Sequence, residues 1–352
     1  MRADTRAVSS ALTFDASALT DYLRDHLADL HGPLWIAQFE GGQSNPTYLL
    51  TAADGRRLVL RRKPPGTLLP SAHAVDREFR VMRALGQGGF PVPRMWLLCL
   101  EEGVIGTPFY VMDYVEGRIL WDPLLPGMDP AERAALYDEM NRVIAALHTA
   151  DYAALGLEDY GKPRDYIARQ VARWTRQYRA SETETIPAMD QLIDWLPAHV
   201  PPGDETAIVH GDFRIDNVVF DPIEPRILAV LDWELSTLGH PLADFAYHCM
   251  AWRLAPGQFR GLVGGNLQAL GIPGEAEYVA RYCERTGRAS VSAGDWEFYV
   301  AFNMFRLAGI LQGVLARALQ GNASSAHALE AGRRARPLAE AAWAQVERVF
   351  GH

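Results

Sequence analysis

The chain reads as an α+β protein of two lobes, a small β-rich N-terminal lobe followed by a larger, mainly helical one. Three observations predict this. Apolar runs of strand length, separated by glycine turns, fill the stretch from Leu34 to Gly117. After Pro130 the apolar residues recur mostly at helical spacing. And 352 residues exceed the ~50–250 that one compact core usually holds.

The elements follow in order. In residues 15–30, DASALTDYLRDHLADL, Leu19, Tyr22, Leu23, Leu27 and Leu30 share one helical face. LWIAQFEGGQSNPTYLLTAADGRRLVLRRKP then reads as three strands joined by a glycine turn and an Asp-Gly turn. AHAVDREFRVMRAL (72–85) is a helix, and FPVPRMWLLCL and FYVMDYVEG contain two more strands. The expected partition is an N-lobe over 1–113, a hinge at 114–118 and a C-lobe over 119–352. In the C-lobe, PAERAALYDEMNRVIAALH (130–148) lines up Leu136, Met140, Val143, Ile144 and Leu147 on one face. Helices are expected near 164–180 and 186–196, short strands at 208–210 and 217–220, and a strand in RILAVLDW (226–233). From 241 onward helices dominate. DWEFYVAFNMFRLAGILQGVLARAL (295–319) reads as a core helix or as one wall of an apolar pocket.

Composition narrows the class. A net charge of −9 argues against a nucleic-acid partner, which needs a basic face. Cys99, Cys249 and Cys283 are odd in number and in no CxxC pattern, so buried free thiols are expected rather than disulfides or a zinc site. The N-terminus has no long apolar core, and no apolar run is expected to approach the ~20 residues of a membrane span. A cytoplasmic protein without a membrane partner is expected; the oligomeric state is left open.

The chemistry concentrates in IVHGDFRIDNVVFD (208–221), where a polar cluster separates two apolar runs. Asp212 and Asn217 are five apart, and the strand ILAVL ends in Asp232. Asn217 and Asp232 offer the hard oxygen ligands that Mg²⁺ prefers. Asp212 would then act as base or orienter for a hydroxyl. A satisfied polar turn is the alternative.

HGDFRIDN resembles the H-x-D-x-x-x-x-N catalytic loop of the aminoglycoside phosphotransferase and choline kinase superfamily, relatives of the protein kinases. LDWELSTLGHPLADFAY (231–247) resembles its metal-binding segment. The resemblance implies a bilobal protein-kinase-like fold, with Asp212 as base, Asn217 and Asp232 as Mg²⁺ ligands, and His210 as a brace of the loop. Asp244 would brace the same loop, and Arg214 would meet the γ-phosphate.

The nucleotide half resembles the family too. FEGGQSNPTYLL places Gly41, Gly42, Ser44 and Asn45 in a turn whose backbone N–H groups can approach phosphate. Alternation along RLVLRRK puts Val59, Arg61 and Lys63 on one face, with Leu58 and Leu60 on the other. Arg61 stands where the family has a lysine, a departure because the two cations differ in geometry. Lys63 on the same face would share its task. Glu78 interrupts the apolar stripe of its helix and so wants a cation; the resemblance supplies Arg61. Backbone groups from Asp113 to Val115 would bind adenine. The cofactors implied are ATP and Mg²⁺.

Within the superfamily, LRRKPPGTLLPSAHAVDREFRVM and HGDFRIDNVVFDP resemble the kinase-like domain associated with acyl-CoA dehydrogenases. That branch implies a hydroxyacyl-CoA as the acceptor. The arginines of RLAPGQFRG, YVARYCERTGR and EAGRRARPL suit such an anion or are a solvated surface. The alternatives are a kinase of an aminoglycoside or other small alcohol, and a pseudokinase-like scaffold.

Overall fold

The computed structural model describes residues 5–9, 12–28, 30–40, 45–66, 73–321 and 327–351. The first elements are β1 (Thr5–Arg6), α1 (Ala16–His26), β2 (Leu34–Phe39), β3 (Thr47–Ala52), β4 (Arg57–Arg62) and α2 (Val75–Gln87). Next come β5 (Met95–Cys99), α3 (Glu102–Ile105), β6 (Phe109–Asp113), α4 (Pro130–Thr149), α5 (Tyr166–Ala180) and α6 (Pro187–Ala198). Then follow β7 (Ala207–Val209), β8 (Val218–Phe220), β9 (Ile227–Val230), β10 (Thr237–Gly239) and α7 (Pro241–Cys249). The chain closes with α8 (Leu267–Leu270), α9 (Glu275–Thr286), α10 (Ala293–Leu319), α11 (Ala328–Gly332) and α12 (Ala335–Phe350).

These elements form two compact units. The first holds Met1–Ile119, Ala153–Tyr160 and Asn217–Ser236; the second holds the rest. A linear reading puts 153–160 and 217–236 in the C-terminal lobe, but both segments belong to unit 1. The hairpin β8–β9 is tied there by Arg118 N–H to Phe220 O (2.8 Å) and by Val230 N–H to Pro91 O (2.8 Å). Gly117 makes the approach possible: a Cβ there would lie 2.2 Å from Phe220 O.

Unit 1 is built on a six-stranded antiparallel sheet, ordered β1-β2-β3-β4-β6-β5. The expected Asp-Gly turn between β3 and β4 is present, with Gly55 at φ +87°. Leu58 and Leu60 face one side, where they pack with Leu19 and Leu23 of α1, Leu50 and Phe109. Alternation carries Arg62 onto that same apolar face. It is 2% exposed and donates to Tyr48 Oη, Ile105 O (3.2 Å) and Leu12 O (2.8 Å). Arg61 therefore points to the opposite face.

Unit 2 is helical around α10. Ser292 caps that helix by accepting from Asp295 N–H (3.0 Å). By length and composition α10 is apolar enough to cross a membrane, which corrects the expectation that no segment reaches that measure. Polar residues such as Glu297, Asn303 and Arg306 interrupt the run in sequence. Yet 72% of its most apolar stretch is buried within the structure. It packs against α5, α7, α11 and α12, as a core helix does.

Two histidines of unit 2 make its stability pH-dependent. Burial lowers His240 and His248 from 6.5 to about 4. Both are therefore neutral in the folded state at pH 7, whereas the unfolded chain protonates them below about pH 6.5. Their contribution is intact above about pH 6.5 and falls as pH drops toward 4, by about 3 kcal/mol for each. Urea unfolding at pH 7.5 and 5 is expected to show about 2 kcal/mol of this loss for each histidine, and His248→Gln to remove about half of the total. An unchanged pH slope in the variant contradicts the assignment.

Candidate active site

In unit 2 the catalytic-loop segment leaves β7 through His210, Gly211 and Asp212. Gly211 adopts φ +84°, a left-handed turn that favours glycine. The turn is held from α7. Asp244 accepts from His210 N–H (2.7 Å, Oδ2) and Gly211 N–H (2.8 Å, Oδ1). His148 of α4 adds a third contact to Asp244 Oδ2 (3.1 Å) and meets Tyr282 Oη (2.7 Å) through its other nitrogen. Burial pushes the Asp244 carboxyl up, but His148 and His210 outweigh it and hold it below the usual range. His210 is fully buried, and its Nδ1 accepts from Asp212 N–H (3.2 Å). From α10, Arg306 donates to Gly211 O (3.0 Å).

Asp212 is thereby set on a rigid turn. Tyr247 Oη donates to its Oδ1 at 2.5 Å, and Arg214 Nε lies 3.0 Å from the same oxygen. Burial and the Asp212 carboxylate push the Tyr247 phenol far up, so it remains a donor at any working pH. Arg214 also reaches Asp216 Oδ2 (3.5 Å), whose other oxygen pairs with Arg260.

In unit 1, Arg61 is the centre of a second cluster. Its Nε lies 3.0 Å from Glu78 Oε2, and its Nη2 lies 2.8 Å from Asp232 Oδ1 and 3.4 Å from Glu234 Oε2. Glu78 is 1% exposed. It also accepts from Asn45 Nδ2 (2.7 Å) and Tyr110 Oη (2.9 Å). Burial pushes the Glu78 carboxyl up, while Arg61, Tyr110 and Asn45 pull it down; the net direction is up. Burial opposes the charge of Arg61, yet Tyr110, Glu78, Asp232 and Glu234 together raise it. Asp232 follows β9 in a left-handed conformation, φ 64°. On the facing strand of the hairpin, Asn217 O accepts from Leu231 N–H (2.8 Å). Asn217 and Asp232 thus flank one end of β8–β9.

The predicted residues fare differently. Arg61, Glu78 and Asp232 are brought together, as are Asp212, Arg214 and His210. Asn45 is fully buried, and its amide is engaged by Glu78 and by His73 (2.9 Å). Its side chain thus orients Glu78. Gly41, Gly42 and Ser44 lie outside the described residues. Asp113, which ends β6, and Val115 just beyond it are partly exposed, and the Asp113 carboxylate accepts from Trp96 Nε1 (2.6 Å). Sequence reasoning missed Tyr247, Glu234 and His148. For Tyr247 a signal existed: it lies three residues after Asp244, on the same face of α7. His148 carried none, being 96 residues from its partner.

Among the described residues no group of three or more His, Cys, Asp or Glu could hold a metal ion. An Asn–Asp pair suits Mg²⁺ nonetheless, since that ion takes one or two carboxylates and completes its shell with water and phosphate oxygens.

Fold and site together define a kinase-like small-molecule phosphotransferase. The profile of the phosphotransferase enzyme family, APH, matches residues 35–294, and the chain belongs to that family. It is 50% identical to acyl-CoA dehydrogenase family member 10 of Mus musculus over 97% of this chain and 32% of the relative. A crystal structure of a candidate aminoglycoside phosphotransferase from Ralstonia eutropha is 57% identical, covering 96% of this chain and 99% of that one, with a TM-score of 0.88. Choline kinase from Cryptosporidium parvum shares the fold at 11% identity and a TM-score of 0.63, over 96% of this chain and 97% of that one. The chain spans less than half the length of the first curated relatives it matches. As expected from its loop, it is an enzyme of the class that phosphorylates small-molecule hydroxyls.

Proposed function

We propose that this chain transfers the γ-phosphoryl group of ATP, bound with Mg²⁺, to the hydroxyl of a hydroxyacyl-CoA. The observation that carries the nucleotide half is the cluster of Arg61, buried Glu78 and Asp232. Phosphoryl transfer needs positioning and charge neutralisation more than covalent help. Arg61 supplies a positioned cation, and Asn217 and Asp232 would hold the Mg²⁺, which neutralises phosphate charge when bound. Asp212, oriented by Tyr247 and Arg214, takes or directs the hydroxyl proton.

The acyl-CoA half is supported by the relatives' names. An aminoglycoside acceptor is the second reading, favoured by the name of the Ralstonia protein. Against it, Asp216 beside the catalytic aspartate is already flanked by Arg214 and Arg260, poor company for a polycation.

Calorimetry of MgATP binding tests the nucleotide half. Wild-type binding is expected to require Mg²⁺ and to weaken at least about tenfold in Asp232→Ala. Equal affinity in the variant, or binding indifferent to EDTA, rejects the metal assignment. Phosphorylation of a hydroxyoctanoyl-CoA but not of kanamycin decides between the acceptors.

A further inference from the structure

Unit 2 carries a small, partly open cavity of about 50 Å³ beside the His210–Asp216 segment. Its walls are largely aromatic and thioether: Tyr137 and Met140 of α4, Tyr247 of α7, then Met250, Trp252 and Phe259. Its charged lining is Arg214, Asp216 and Arg260, two guanidiniums against one carboxylate. Such a surface accommodates an apolar chain and favours an anion at one end.

The loop that delivers Phe259 and Arg260 is unusual. Its feet are tied by Val263 N–H to Leu254 O (3.0 Å) and Leu262 N–H to Ala251 O (2.7 Å). A Cβ at Gly261 would lie 1.7 Å from Leu254 O, so this closure requires glycine there. Phe259 (φ 120°) and Arg260 (φ 51°) both adopt left-handed backbone. Two successive non-glycine residues in that region are strained, and such strain concentrates at ligand clamps. It sets the Arg260 guanidinium on Asp216 and 5.4 Å from the Trp121 ring centre, and Phe259 5.6 Å from the guanidinium of Arg214. The Asp216 side chain is 4% exposed, whereas that of Arg260 is 36% exposed. Arg260 therefore has donors to offer, and its planar fork can serve two anions at once.

We propose that Phe259 and Arg260 form an acceptor-specificity element, in which Phe259 walls an apolar chain and Arg260 binds the anionic group that chain carries. This rests on reading the cavity as the acceptor side of the transfer. The anion is a carboxylate or a phosphate of coenzyme A, which share the oxyanion chemistry that Arg260 recognises.

The test is calorimetry without nucleotide, using octanoate, octanoyl-CoA and octanol with wild type, Arg260→Gln and Phe259→Gly. Wild type is expected to bind an anionic probe at least about tenfold more tightly than octanol, and Arg260→Gln to erase that margin while leaving octanol unchanged. A loss confined to octanoate assigns the carboxylate, and a loss confined to octanoyl-CoA assigns its phosphates. Phe259→Gly is expected to raise the melting temperature, by relieving strain, while weakening every probe. The inference is overturned if wild type does not prefer an anion, if Arg260→Gln keeps the preference, or if Phe259→Gly binds as wild type does. MgATP binding in the same proteins separates the two readings. An Arg260-independent preference with MgATP binding intact sinks this inference alone. Loss of MgATP binding from wild type sinks the kinase proposal and leaves the probe result standing.

Discussion

Asp212→Asn lowers turnover by about 10²–10⁴-fold and leaves the fold in place. The amide has nearly the volume of the carboxylate, and the turn that carries it is held by other groups. Asp244 fixes the loop amides, and Arg306 holds the Gly211 carbonyl. What the variant loses is a carboxylate able to take a proton, together with its charge toward Arg214. Arg214 keeps Asp216 as a partner, so no buried guanidinium is stranded. Steady-state phosphoryl transfer, a thermal melt and MgATP calorimetry together check this. Turnover should collapse while the melt stays within a few degrees and MgATP affinity holds, because Arg61, Glu78 and Asp232 are untouched. Turnover within about tenfold of wild type would mean that the acceptor hydroxyl is handled by another group.

The second large effect concerns Arg61. Arg61→Lys is expected to weaken MgATP binding about tenfold, although lysine is the family's usual residue there. In this chain the guanidinium uses Nε for Glu78 and Nη2 for Asp232 and Glu234. A single ammonium cannot occupy both places. Arg61→Met is expected to cost about 3–5 kcal/mol of stability, since it leaves the Glu78 carboxyl buried without its cation. Calorimetry and urea unfolding measure the two effects. A gain in turnover for Arg61→Lys would instead show an impaired natural site and favour the scaffold reading. Composition argues against impairment. Of the chain's 34 basic residues, two, Lys63 and Lys162, are lysine. Arginine is the general cation here, and its presence on β4 is no sign of decay.

Much of this was legible in the residues. The helix α4 and strands β2 to β4 announced themselves by periodicity, which follows from burying one face of a regular element. Glu78 announced its need of a cation because an acid in an apolar stripe must be neutralised, and the resemblance named Arg61. The spacing of His210, Asp212 and Asn217 marked the loop. Other features were not legible. β1 and β10 have two and three residues, too few for any period to show. Asn45 reads as a polar loop residue, yet it is fully buried against Glu78, 33 residues away. The strained pair Phe259 and Arg260 sits in a stretch with no pattern at all.

By itself, then, the sequence determined the kind of elements, the two-part α+β architecture and the residue types of a phosphoryl-transfer site. Those properties follow from local periodicity and from motif spacing along the chain. Tertiary structure alone decided which further groups meet: Tyr247 on Asp212, His148 on Asp244, Asp232 and Glu234 beside Glu78 at Arg61, and Arg260 on Asp216. The physical reason is the same in each case. Hydrogen bonds and ion pairs act over a few ångströms, and the distance between partners in space is set by packing, not by their separation in the chain.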